Sequence, residues 1–99
     1  MEFIFDERKV SSMKLAKVIG TIVATRKEES LVGYKLMVIR RIDGSTNFIG
    51  DEEVAVDYVG AGIGEIVLIG QGSAVRLNKA KKEATIDMAI IGIIDAIDI

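Results

Sequence analysis

Residues 59–72, VGAGIGEIVLIGQG, place three glycines in five positions immediately before the apolar run EIVLIG. The stretch invites comparison with a dinucleotide-binding loop and fails it twice. The third glycine falls one position too early for G-x-G-x-x-G, and the run after it is β-branched and apolar, a strand where phosphate binding needs a helix N-terminus. A Gly-rich turn feeding a strand instead permits positive φ and close backbone approach, the chemistry of a tight loop in a small β-barrel.

Working outward, the same alternation of apolar runs and turn residues recurs. The pattern predicts strands over Val18 to Thr25, Tyr34 to Ile42, Val54 to Val59, Glu65 to Ile69 and Ile86 to about Ile97. Asp43-Gly44-Ser45 and Gly50-Asp51 supply turns between them. Ser73 to Lys82 is the one expected helix, with Ser73 as N-cap and basic residues toward its C-terminal half. No βαβ alternation is present, so the expected fold is mainly all-β: a small five-stranded barrel with one short helix. Residues 1–12, charged and of different character, read as an N-terminal extension, native or appended, to a single domain over 13–99. Phe3 and Phe5 in it are candidates for docking on a neighbouring subunit.

Several strands are apolar on both faces. In the last, Met88, Ile90 and Ile94 oppose Ala89, Ile91, Ile93 and Ile97; in the first, Ile19 and Val23 oppose Val18, Ile22 and Ala24; in the fourth, Ile66 and Leu68 oppose Val67 and Ile69. One face fills the barrel and the other needs a cover. Each further buried Ile or Leu is worth about 1.5–3 kcal/mol, so a subunit interface built from several is firm. With 49% hydrophobic residues in only 99, the chain has more apolar surface than one small domain hides, which implies an obligate oligomer.

Composition removes most chemistry. The chain has no His and no Cys, which excludes disulfides, thiolate and imidazole metal sites and His-based catalysis. Asp43, Asp51, Glu52 and Glu53 fall in turn-like sequence, and Asp57 and Asp87 flank strands, where bonds to turn backbone are expected. Ser30 and Ser73 have no spacing to a lysine that marks a nucleophile pair. No enzyme, cofactor or metal site is expected. A net charge of −2, with Tyr34, Phe48 and Tyr58 scattered on separate segments, is a poor footprint for single-stranded nucleic acid. An oligomeric barrel binding single strands or a small ligand is the alternative. The apolar run Met88–Ile94 is too short to span a membrane, and residues 1–12 lack the pattern of a signal peptide, so a cytoplasmic protein is expected.

Three stretches, KLAKVIGTIVATRKEESLVGYKLMVI, VAVDYVGAGIGEIVLIGQGSAVR and IDMAIIGIIDAID, in this order and at these separations, resemble the EutN/CcmL family of bacterial microcompartment vertex proteins. The likeness covers nearly all of 13–98. It departs at Ala84-Thr85-Ile86, where the family often has proline, and at IDGSTNFIGDEE. It implies an oligonucleotide-binding-like barrel that assembles as a cyclic pentamer. Such pentamers cap the vertices of a polyhedral shell whose facets are hexameric shell proteins. On that reading, subunit interface or axial-loop positions are Gly60, Ala61, Gly62, Ile63, Gly64, Ser73, Arg76, Ile91 and Ile93, with 71–76 nearest the five-fold axis. Gly62→Val is expected to block assembly through backbone strain or crowding.

Overall fold

The structure, a computed structural model, describes residues 10–24, 33–72 and 88–98. Five strands occupy them: β1 (Val10–Ile22), β2 (Lys35–Ile42), β3 (Phe48–Asp57), β4 (Ile66–Gly72) and β5 (Met88–Ile93). They close into one barrel in the order β1-β2-β3-β5-β4. All pairings are antiparallel except β3 with β5, a short parallel seam of Val56 with Ala89 and Asp57 with Ile90. The closing seam is short: β3 meets β5 only at Val56 and Asp57, and the earlier part of β3 pairs with β2 alone. The expected helix from Ser73 to Lys82 lies outside the described residues, as do residues 1–9 and Asp87.

The core is the inward row of each strand. Ala16 and Val18 of β1, Met37 and Ile39 of β2, Ala55 of β3, Val67 and Ile69 of β4 and Ile90 of β5 form one buried cluster, with Met88 packed against it. Small and large residues alternate across it, so that Ala16 lies between the registers of Val67 and Arg41, and Ala55 pairs with Met37. Of the two opposed apolar faces of the fourth and fifth strands, the structure turns Val67 with Ile69 and Met88 with Ile90 inward, a choice that the alternation alone leaves open.

Two strands begin earlier than their hydrophobic pattern suggests. β1 starts at Val10, ahead of Val18 and of Met13, because Met13–Lys17 pair with Ile66–Gly70 of β4. β3 starts at Phe48, ahead of Val54, because Glu52 and Glu53 pair with Arg40 and Ile39 of β2. Cross-strand partners, not apolar content, carry these segments. Bulges then interrupt the alternation. Ile19 is the extra residue between Val18↔Ile39 and Gly20↔Val38, and Ile91 is the extra residue between Ile69↔Ile90 and Leu68↔Gly92. Past Ile91 the parity of β5 therefore flips. Ile93 pairs with Val67 and shares its inward side at the barrel end, not the outward side that simple alternation gives it.

Candidate functional site

Among the described residues no catalytic constellation emerges, and the candidate site is the barrel surface with the loop after β3. That loop is organised by Asp57, which is buried to 8% exposure at the end of β3. Its Oδ1 accepts the amides of Val59 (3.0 Å) and Gly60 (2.9 Å), and its Oδ2 accepts that of Ala61 (2.9 Å). A buried carboxylate would be costly alone, and three donors satisfy it. The expectation that this aspartate bonds turn backbone is met by the geometry.

The rest of the loop is tied to β1. The Gly64 amide donates to Val18 O (2.8 Å), and the Val18 amide donates to Glu65 O (3.0 Å). The Gly62 amide donates to Glu65 Oε1 at 2.6 Å. Gly60 and Gly64 have φ of 82° and 94°, the left-handed region where a side chain is strained. Gly62 is outside that region, so the expected backbone strain of Gly62→Val is absent. A Cβ there would lie 3.5 Å from Glu65 Oε1, an ordinary contact. Ala61 is 4% exposed and belongs to the subunit's own core. Ile63 projects, 66% exposed, at the loop tip. Ile91 is half-buried at its bulge, and Ile93 is exposed at the barrel end. Ser73 and Arg76 lie outside the described residues.

Among the described residues, the rings of Tyr34, Phe48 and Tyr58 are engaged with the protein. Tyr34 and Tyr58 meet edge to face with centroids 5.7 Å apart. Burial, with a smaller contribution from Tyr34, pushes the Tyr58 hydroxyl up to about 12. The Arg40 guanidinium lies 4.9 Å over the Phe48 ring, and its Nε donates to Gly50 O at 2.8 Å. Among the described residues no group of three or more carboxylates is placed to hold a metal ion.

The outward rows are apolar on two sides of the barrel. Around β4, Leu68 pairs with Leu15 of β1 and Gly92 of β5, and Ile66 lies beside Lys17. Across the barrel, Val38 of β2 pairs with Val54 of β3, which is 50% exposed. Between these walls runs a strip, Val56 with Ala89, that is buried within the subunit although it faces away from the core cluster. Part of the outer apolar surface is thus covered within the subunit, while Leu15, Val38, Ile66 and Leu68 stay half-buried and Val54 stays exposed.

With this surface in view, comparison with known proteins is informative. The family model described as ethanolamine utilisation protein EutN/carboxysome matches residues 13–95. The chain belongs to the EutN/CcmL family. It is 46% identical over 86 residues to the bacterial microcompartment shell vertex protein GrpN of Rhodospirillum rubrum, covering 87% of this chain and 97% of that one. To the carboxysome shell vertex protein CcmL of Synechococcus elongatus it is 44% identical over 87 residues, 88% of each chain. Among solved structures, the GrpN pentameric microcompartment shell protein from Rhodospirillum rubrum superimposes with a TM-score of 0.77 at 44% identity, covering 87% of this chain and 96% of that one. CcmL of Gloeobacter violaceus gives 0.77 at 38%, covering 87% and 89%. As a EutN/CcmL member the chain is a structural shell protein of the vertex class, on the five-stranded barrel that the family resemblance implied. The family match reaches back to Met13, while the β1 ladder continues to Val10.

Proposed function

We propose that five copies of this chain close into a ring that caps a vertex of a bacterial microcompartment in the cytoplasm. The ring borders hexameric shell proteins, catalyses no reaction and binds no nucleic acid or membrane. Its mechanism is geometric. A surface tiled by six-fold units stays flat, and a five-fold unit introduces the corner that lets it close. The observation that carries the reading is a pair of apolar walls, one half-buried around β4 and one with Val54 half-exposed, on opposite sides of a barrel whose relative GrpN is pentameric. A cyclic assembly joins one patch to a different patch on the next copy, so it needs two.

Within that ring, Ile63 at the loop tip and Ile91 at the β5 bulge belong to surfaces between copies, with Gly60, Gly62 and Gly64 holding the loop low enough for a neighbour to approach. Ser73 and Arg76 belong to the segment nearest the axis. Sedimentation velocity of the intact chain decides the matter: five copies of a 10.7 kDa subunit give about 54 kDa. A folded single subunit at micromolar concentration would remove the vertex role. Arg76→Glu is expected to alter ring formation or the potential at the axis, and an unchanged ring with Arg76 remote from the axis would count against that placement.

A further inference from the structure

Gly20 and Gly92 have no reason inside the subunit to be glycine. Both stand in strand interiors, where glycine weakens a sheet. Neither has a positive φ, so the bulges beside them at Ile19 and Ile91 do not require one. A Cβ on Gly20 would rest 3.7 Å from Val38 Cβ, and one on Gly92 would rest 3.7 Å from Leu68 Cβ. Both are ordinary contacts, so alanine fits the isolated barrel at each place. The two sites also mirror one another. Each glycine sits directly across from an outward apolar side chain, Gly20 beside Val38 on the β2–β3 wall and Gly92 beside Leu68 on the β4 wall.

We propose that these walls are the two halves of one heterologous interface between successive copies of this chain. The wall of Leu15, Ile66 and Leu68 on one subunit packs on Val38 and Val54 of the next, and Gly20 and Gly92 are where the two backbones come closest. This rests on the ring reading above and names the surfaces that form it. Two observations select a second copy as the occupant. The strand order places β4 opposite the β2–β3 pair, so the two walls face away from each other, as a ring requires and a two-fold dimer does not. Each wall pairs a protruding side chain with a flat glycine, so each can receive what the other presents.

The absence of native cysteine permits a direct test. A Val54→Cys/Leu68→Cys double variant treated with a flexible bis-maleimide is expected to give a ladder of two to five linked chains on a denaturing gel, and each single variant only the one-chain band. Val54→Arg, at a half-exposed position that leaves the barrel folded by circular dichroism, is expected to shift the sedimenting mass from about 54 kDa to that of one subunit. Ser45→Arg, in the exposed β2–β3 turn, keeps the ring. A ring that survives Val54→Arg, a double variant that forms a ring without a ladder, or single variants that link as well as the double overturns the wall assignment and leaves the ring standing. A wild-type chain that sediments as one subunit fails the ring itself, and the assignment with it.

Discussion

Asp57 shows most plainly how one residue holds a functional loop in place. Its two oxygens satisfy three consecutive loop amides, and removing them strands one buried and two part-buried donors. Asp57→Ala is expected to cost about 3 kcal/mol in urea unfolding, and Asp57→Asn roughly half, since the amide keeps one acceptor oxygen. A change below about 0.5 kcal/mol for alanine would show that the loop does not depend on this anchor. The sequence made this role legible, because an aspartate directly before a Gly-rich turn has amides within reach. Thr46 was not legible. It holds φ of 65°, unfavourable for a β-branched residue, because the Asp43–Asn47 turn closes around it. Thr46→Asn suits that backbone better and is expected to raise stability by about 0.5 kcal/mol, again by urea unfolding.

At the scale of elements, the β2–β3 hairpin is held by hydrogen bonds more than by apolar content. Asp43 Oδ1 accepts the amides of Ser45 and Asn47, both at 2.9 Å, and the Asp43 amide donates to Asn47 O. The bond from Asn47, with that from Ser45, draws the Asp43 carboxyl below its ordinary 3.8. A lowered folded value means that its contribution is present above that pH and is lost as pH falls through the folded value. Hydrogen exchange at Ser45 and Asn47 is expected to speed up in acid below 3.8, and Asp43→Ala to show fast exchange at every pH. Acid-insensitive protection would count against the turn carboxylate. Periodicity missed the first half of this hairpin's second strand for the same reason: Phe48–Glu53 have no apolar alternation, and their strand exists only because β2 is there to pair with.

For the whole molecule, surplus apolar surface is the governing quantity. Phe48, Ile49, Val54 and Ile63 are each more than 40% exposed in one subunit, on a chain that is nearly half hydrophobic. If neighbours cover part of this, folding and assembly are linked, and the melting temperature must depend on concentration. Tenfold dilution is expected to lower it by roughly a few degrees in differential scanning fluorimetry, whereas a self-sufficient barrel would melt at one temperature throughout.

The amino-acid sequence by itself determined the all-β class, the two apolar faces of β4 and β5, the structural use of Asp57 and the excess of apolar surface. These come from local alternation, turn chemistry and composition, which need no knowledge of distant contacts. Only the tertiary structure decided where β1 and β3 begin, which way Ile93 faces, that Ala61 is core, and that Val56 with Ala89 forms a covered outer strip. Each of those depends on register between strands remote in the chain, and a single bulge, at Ile19 or Ile91, reverses every side chain beyond it without leaving a mark in the hydrophobic pattern.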